Sequence, residues 1–179
     1  PITNSPPTCT APIDATAGGT FDGNNANGIN NWQTDSDACT GFSGYSGPDD
    51  VYSFRLPAGA RLRVSASSSG DLALVLAPAD QCSDGCLAGI DGTFGGPEEL
   101  LYANTTGAPQ DLVLIVEEFF GGAPYTLDIE LLGDVCSAGE QRCTQEGNLE
   151  VCNASLDGFD TIPCPGGCEF EPFEQRGQC

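Results

Sequence analysis

The side chains best able to do chemistry in this chain are carboxylates and cysteines, because histidine is absent from all 179 residues. Without histidine, neither a Ser-His-Asp nor a Cys-His arrangement for nucleophilic catalysis can form. Adjacent carboxylates occur at Asp49-Asp50, Glu98-Glu99 and Glu117-Glu118. Neighbouring residues of a strand point to opposite faces, so such neighbours do not make the spatial pair that glycoside hydrolysis requires. The sequence therefore predicts a protein that is not an enzyme.

A polar loop between residues 21 and 50 carries the oxygen-rich side chains that Ca²⁺ prefers. We predict a Ca²⁺ site built from five aspartates of this loop: Asp22, Asp35, Asp37, Asp49 and Asp50. The segment lacks the full EF-hand pattern. The alternative is an acidic, turn-forming loop that binds no ion. No other cofactor is expected.

Ten cysteines without a histidine indicate disulfides in an oxidising compartment, so we predict a secreted, extracellular or cell-surface protein. All ten are expected to be paired: Cys9, Cys39, Cys82, Cys86, Cys136, Cys143, Cys152, Cys164, Cys168 and Cys179. In the first block we expect Cys9 and Cys39 to clamp the polar loop and Cys82 and Cys86 to close a small loop.

The last six cysteines crowd a segment with few large apolar side chains, which needs covalent support in place of a core. A hairpin with its turn at Gly147-Asn148 would place Cys143 opposite Cys152 and suggests one bridge. Six cysteines allow 15 connectivities, so the other pairings stay open.

The charge balance limits the class of partner. Five arginines and no lysine face 26 Asp and Glu residues, for a net charge of −21. Nucleic acid and anionic membrane surfaces would repel such a chain, so neither is expected as a partner. No apolar run approaches the roughly 18 residues of a membrane span. A chain this acidic suits solubility, Ca²⁺ binding or a basic partner.

Elements that position these groups follow a period of two from Val51 to Leu132. The clearest strand is 125–131, where Tyr125, Leu127 and Ile129 alternate with polar residues. Gly- and Pro-rich turns separate the strands, and no helical period is sustained. We predict an all-β fold: a jelly-roll-like antiparallel β-sandwich with a small disulfide-rich C-terminal domain.

Three segments are predicted along the chain. Residues 1–8 form an extended Pro/Ser/Thr N-terminal arm, because three prolines in eight residues forbid a helix. Residues 9–132 form the β-sandwich, and residues 133–179 form the disulfide-rich domain.

Residues 9–132 also resemble the bacterial pre-peptidase C-terminal (PPC) domain. The resemblance rests on Cys9-Thr10-Ala11-Pro12, on the stretches 49–59 (DDVYSFRLPAG), 62–64 and 71–76, and on the closing strand 122–127. It implies a secreted, non-catalytic jelly-roll sandwich, often appended to hydrolases, some of whose members bind Ca²⁺ or a substrate surface. Residues Cys136 to Cys143 are similar to Cys-rich repeats of the form Cys-x-x-Gly-x-x-Arg-Cys in secreted proteins of myxobacteria-like organisms.

Surface modification and contact sites are also predicted. Asn104 and Asn153 fit the N-glycosylation acceptor pattern. Trp32 and Tyr45 lie in the polar loop, where aromatic rings suit stacking on a sugar or protein partner, or else anchor the loop in the core. Ile2 is the apolar residue of the N-terminal arm and a candidate partner contact.

Two functions are predicted. The first is a non-catalytic structural or adhesive extracellular protein, a self-assembling filament or surface-layer subunit that docks on copies of itself through its N-terminal arm. The alternative is a substrate- or carbohydrate-binding accessory module of a secreted hydrolase, with other extracellular proteins or glycans as partners.

Overall fold

A computed structural model describes residues 6–33, 39–42, 46–92, 95–119, 121–133, 136, 138–154, 158–171 and 176–179. Within these ranges the secondary structure consists of fourteen β-strands and two single turns of 3-10 helix. The all-β prediction is confirmed. The described part of the chain contains no helix of the length and apolarity that crossing a bilayer requires.

Two sheets form the sandwich. The four-stranded sheet has the order β2 (Gly19–Asn24), β9 (Pro124–Leu132), β4 (Arg61–Ser68) and β7 (Glu98–Ala103). The five-stranded sheet has the order β1 (Ile13–Asp14), β3 (Asp49–Leu56), β8 (Gln110–Glu118), β5 (Leu72–Pro78) and β6 (Ala88–Ile90). From β2 to β9, successive strands change sheet at every step except the β5–β6 hairpin, which is the strand order of a jelly roll.

The core between the sheets follows from the period-two pattern. Alternate side chains of β3, β5 and β8, such as Phe54, Leu74 and Leu114, face alternate side chains of β4 and β9, such as Val64 and Leu127. All of these are buried. The inward and outward faces predicted for 125–131 match those observed in β9.

The outer face of the five-stranded sheet is also buried, which explains why β5 and β8 have continuous apolar runs. Val51, Val75 and Ile115 lie on this face and belong to one buried cluster with Trp32. We call the irregular segments that cover it, within residues 25–33, 39–42, 46–48 and 79–87, the loop layer.

The disulfides of the sandwich join the loop layer differently from the predicted pairing. Cys9 bonds to Cys82, and Cys39 bonds to Cys86. The predictions of a Cys9–Cys39 clamp and of a small Cys82–Cys86 loop were wrong. The physical reason lies in the packing of the Trp32 segment against the turn between Cys82 and Cys86, where the Trp32 indole N–H donates to the Gly85 carbonyl and the Gln33 N–H to the Ser83 carbonyl.

The tail consists of small sheets held by disulfides. Strands β10 (Gln141–Cys143), β11 (Leu149–Cys152) and β12 (Phe159–Ile162) form one antiparallel sheet, and β13 (Glu169–Glu171) pairs with β14 (Arg176–Gln178). The predicted hairpin turn at 147–148 is present.

The predicted Cys143–Cys152 bridge was wrong, because the hairpin register places Cys143 opposite Leu149. The observed bridges of the tail are Cys136–Cys152, Cys143–Cys168 and Cys164–Cys179. All ten cysteines are therefore paired, as predicted.

Candidate functional site

Four buried carboxyl groups gather at one end of the sandwich, which we call the polar end. They belong to Asp49, Asp50, Glu117 and Glu118, at the start of β3 and the end of β8. Asp49 lies directly opposite Glu117 in the ladder. Adjacent residues do point to opposite faces, as expected. The spatial carboxyl pair is formed instead across two strands that are far apart in sequence.

Asp49 and Glu117 lie beneath the loop layer, both fully buried. The Asp49 carboxylate accepts hydrogen bonds from the Asn31 backbone N–H at 2.7 Å, the Asn31 side-chain amide at 2.5 Å and the Trp32 backbone N–H at 2.9 Å. It thereby fixes the segment that inserts Trp32. Burial raises the pKa of Asp49, and these donors oppose the rise.

Glu117 carries the proton of this pair. Burial, followed by the charge of Asp49, raises the pKa of Glu117 to about 9. Neither carboxyl oxygen of Glu117 has a hydrogen-bond partner of good geometry, whereas Asp49 has three donors. Two buried carboxylates side by side cannot both ionise without a large penalty, so Glu117 is neutral at pH 7.

Asp50 faces the inside of the sandwich. The Tyr125 hydroxyl donates to the Asp50 carboxylate at 2.7 Å and lies 2.8 Å from the Tyr52 hydroxyl. Burial raises the pKa of Tyr52 to about 12 and raises that of Tyr125 further. Gly23 packs on the Tyr125 ring so closely that any Cβ there would overlap it.

Glu118 and Asn25 close the polar end. The Glu118 carboxylate accepts backbone N–H groups from Gly121 at 2.7 Å, Gly122 at 2.8 Å and Asp71 at 3.2 Å. Asn25 is fully buried; it donates to the Val116 carbonyl and accepts from the Ala123 N–H. These groups satisfy loop backbone that would otherwise be buried unpaired. Among the described residues, the carboxyl groups of the polar end are therefore buried, and those of Asp49 and Glu118 hold the loop backbone.

The predicted calcium ligands that the structure describes do not lie together. Asp22 is exposed on the four-stranded sheet, where its carboxylate accepts from Thr126 at 3.2 Å. Asp49 and Asp50 point to opposite faces of the other sheet. Asp35 and Asp37 lie outside the described residues. Calcium binding stays a prediction.

The predicted contact residues have different outcomes. Trp32 is fully buried and its indole N–H donates to the Gly85 carbonyl at 3.0 Å. The prediction that Trp32 contacts a partner was wrong, and the alternative, that Trp32 anchors the loop in the core, is confirmed. Ile2 and Tyr45 lie outside the described residues.

The two glycosylation motifs also differ. Asn104 is fully buried, and its side-chain amide donates to the carbonyls of Leu56, Pro57 and Ala108. Its side-chain oxygen accepts from Thr106. A glycan at Asn104 would require this network to open, so that prediction was wrong for the folded chain. Asn153 is half-buried in the tail, and its glycosylation stays a prediction.

A groove lies at the end of the sandwich opposite the polar end, where the tail meets the four-stranded sheet. Its volume is about 400 Å³, within the range of ligand sites. It is lined by Arg61, Leu62, Leu87, Ala88, Leu101, Tyr102, Ala103, Leu132 and Ala154. Sequence reasoning missed it, because the walls come from β4, β6, β7, β9 and the tail.

Packing of the tail on β7 completes the groove. Ala103 of β7 packs against the Cys136–Cys152 bridge, and an Arg61 side-chain N–H donates to the Gly133 carbonyl at 3.0 Å. Leu101 is 68% exposed, Leu87 39% and Leu132 36%. Among the described residues, these three make up half of the large apolar side chains left exposed to solvent: Ile29, Phe42, Leu87, Leu101, Leu132 and Ile162.

Comparisons with known proteins find solved structures that the chain is similar to, two of which are described here. No protein-family model matches the chain, and no curated protein matches it. The pre-peptidase C-terminal domain of a collagenase from Bacillus anthracis is 15% identical, with a TM-score of 0.45, over 72% of this chain and 99% of that one. PliG of Aeromonas hydrophila, a periplasmic inhibitor of g-type lysozyme, is 14% identical, with a TM-score of 0.38, over 71% of this chain and 97% of that one.

Both TM-scores and both identities are too low to carry an argument about what this chain does. A PPC domain is among the structures that the chain resembles, and membership of the PPC family stays a prediction. No match supports the resemblance of the tail to Cys-rich repeats.

Proposed function

We propose that this chain is a non-catalytic extracellular binding module that captures a segment of another protein in the groove. The observation that carries the proposal is the clustering of Leu87, Leu101 and Leu132 around one concave site. Single exposed apolar residues are ordinary, whereas an exposed apolar cluster usually marks an interaction site.

Several observations support a role without catalysis. The chain has no histidine, and every cysteine is in a disulfide. The carboxyl pair of Asp49 and Glu117, which has the strongly raised pKa expected of an acid catalyst, is fully buried beneath the loop layer. A substrate could not reach it without unfolding that layer. Five disulfides support maturation in an oxidising compartment, and hence secretion.

The groove suits a peptide better than a sugar. Among the described residues that line it, the one aromatic is Tyr102, which is half-buried and donates its hydroxyl to Gln110 at 2.9 Å. The other walls are mostly aliphatic, and aliphatic walls offer no flat ring face for a sugar to stack on. Trp32, one of the two predicted stacking residues, is inside the core, and the other, Tyr45, lies outside the described residues.

Self-assembly through the N-terminal arm stays a prediction. Its candidate contact Ile2 lies outside the described residues. The base of the arm lies on its own domain, where the Pro7 carbonyl accepts from Asn31 at 3.4 Å. Negative-stain microscopy of chains with and without residues 1–8 tests the idea, and identical monomers in both samples would contradict it.

Calcium is a separate proposal with its own test. Because Asp49 and Asp50 are already occupied by N–H and O–H donors, the ion would depend on Asp22, Asp35 and Asp37. Ca²⁺ added to EDTA-treated protein would then raise the melting temperature by mass action. An unchanged melting temperature would remove calcium from the account.

A peptide selection tests the proposed function. Phage-displayed random peptides are selected on the intact chain and then compared on Leu101→Asn and on the matched control Ile162→Asn, which alters an exposed strand residue of the tail. We expect selected peptides to bind Leu101→Asn about tenfold more weakly and Ile162→Asn unchanged. Peptides insensitive to Leu101→Asn, or no enrichment at all, would contradict a binding role for the groove.

A further inference from the structure

Strand β7 is an edge strand with backbone groups left open. It pairs on one side with β4, and among the described residues no strand is hydrogen-bonded to its other edge, although β6 of the opposite sheet lies close to it. Asn104, directly after β7, donates its N–H to the Ala60 carbonyl and accepts from the Gly59 N–H, so its backbone faces β4. Along an antiparallel strand, the N–H and C=O groups of successive residues point alternately to one edge and to the other. Tyr102 therefore faces β4, and Leu101 faces the open edge.

The open edge and the groove coincide. Leu101, Tyr102 and Ala103 of β7 line the groove, together with Leu87 and Ala88 at the edge of the opposite sheet. Within the described part of the chain, no backbone or side-chain hydrogen bond uses the Leu101 N–H or carbonyl. Proteins usually protect such an edge by charge, bulges or covering segments, because it is a template for pairing with another chain.

An added strand would present its side chains alternately to two different surroundings. One set would point toward Leu87 and Ala88, an aliphatic wall. The other set would lie over the outer face of the four-stranded sheet, beside the side chains of Leu101 and Glu99. The first set must be apolar, and the second can be long and polar.

The net charge of the chain determines which polar side chains the added strand should carry in its second set. Among the described arginine side chains, Arg55, Arg63 and Arg142 pair with carboxylates, and Arg61, which lines the groove, donates to the Gly133 carbonyl. The chain as a whole carries 26 acidic residues against five arginines. An incoming cationic segment gains from this field, and an acidic one is repelled.

We propose that the partner binds as an extended cationic segment that adds to the open edge of β7 as a fifth strand of the four-stranded sheet. The inference rests on the proposed function and specifies its binding mode. Backbone hydrogen bonds to Leu101 supply affinity, and alternate apolar side chains in the groove supply specificity. Pairing of two copies through β7 is disfavoured, because each copy carries a net charge of −21.

A designed peptide tests the mode directly. The probe is a short peptide of alternating valine and arginine, compared with the same peptide built from valine and glutamate. Amide hydrogen exchange is followed by NMR on the intact chain. We expect the valine–arginine peptide to slow exchange at Leu101 about tenfold and to leave Tyr102, already paired with β4, unchanged. Binding without protection at Leu101, or equal binding of the glutamate peptide, would overturn the inference.

A variant isolates the backbone contribution. Leu101→Pro deletes the open N–H while leaving the β4 ladder intact, since proline is tolerated where the N–H of an edge strand faces away from its sheet. Leu101→Ala is the control that keeps the N–H. We expect the proline variant to lose the peptide and the alanine variant to keep at least part of its affinity. Equal affinities of the two variants would contradict strand addition.

If circular dichroism shows that Leu101→Pro is unfolded, a peptide N-methylated at alternate residues makes the same test without a change to the protein. Loss of affinity is expected when the methyl groups block the edge-facing amides. If peptides from the random selection depend on Leu101 while the valine–arginine probe fails to bind, strand addition by a cationic segment is wrong and the binding role of the groove stands. If nothing binds in either experiment, the proposed function fails with it.

Discussion

At the polar end of the sandwich, acidic side chains are buried and stabilise the loop layer. At the groove, by contrast, apolar side chains are exposed to solvent. Asp49 and Glu118 each satisfy three N–H donors of their own chain. Leu101, at the other end, is 68% exposed beside an open strand edge. The difference separates residues that maintain the fold from residues available to a partner. Substitutions at the two ends should therefore affect different measurements.

The largest expected effect is on stability at the loop layer. Trp32→Ala leaves a cavity between the loop layer and the five-stranded sheet, and should lower the free energy of unfolding by about 3–5 kcal/mol. Leu101→Ala should change it by less than about 0.5 kcal/mol. Urea unfolding of both variants is the measurement. Similar losses at the two positions would break the distinction between the ends.

A smaller loss is expected inside the sandwich. Tyr125→Phe removes the hydroxyl that donates to Asp50, leaving a buried carboxylate underpaired, and should cost about 1–3 kcal/mol. The matched control is Tyr102→Phe at the groove, whose hydroxyl bonds to Gln110 at a half-buried site and should cost less. A greater loss at Tyr102 than at Tyr125 would contradict this ranking.

The pH dependence of stability should come mainly from the Asp49–Glu117 pair. The pKa of Glu117 is raised from 4.5 to about 9 in the folded chain. Its favourable contribution is thus complete below pH 4.5 and is lost progressively as the pH rises through about 9. The burial of Asp49 and Asp50 raises their pKa values and acts in the same direction.

Glu117→Gln tests this assignment, because glutamine resembles the neutral acid and does not ionise. We expect the variant to match the wild type near pH 5 and to exceed its melting temperature near pH 9. Thermal unfolding across that range is the measurement. If the melting temperature of Glu117→Gln fell with rising pH as steeply as that of the wild type, the titrating group would lie elsewhere.

A small stability effect is expected for Leu132→Ser at the rim of the groove. Leu132 is only partly covered, so the free energy of unfolding should change by less than about 1 kcal/mol. Affinity for peptides selected on the groove should fall in the same variant. A large loss of stability would show that Leu132 belongs to the core.

Much of the fold could be predicted because it is local. The alternation of Tyr125, Leu127 and Ile129 fixes the faces of β9, and the Gly147-Asn148 turn fixes a hairpin. Disulfide pairing could not be predicted, since Cys9 and Cys82 are 73 residues apart in sequence and meet only in the folded loop layer. Composition indicated that the cysteines would be paired, but not with which partners.

The candidate site depends on long-range register and was largely beyond the sequence. Asp49 and Glu117 become a pair only through the alignment of β3 with β8. The groove exists because the tail packs on Ala103 at the end of β7. The one signal of the groove in the sequence was Leu101, an apolar residue that shares the exposed face of β7 with Glu99. It interrupts the polar outer face of the four-stranded sheet.

A map of backbone amide chemical shifts on titration with the valine–arginine peptide tests the division between the two ends most directly. We predict shifts concentrated at Leu87, Leu101, Ala103 and Leu132, with Asn31, Trp32 and Glu118 unchanged. Shifts concentrated at the polar end, with the groove unaffected, would contradict it.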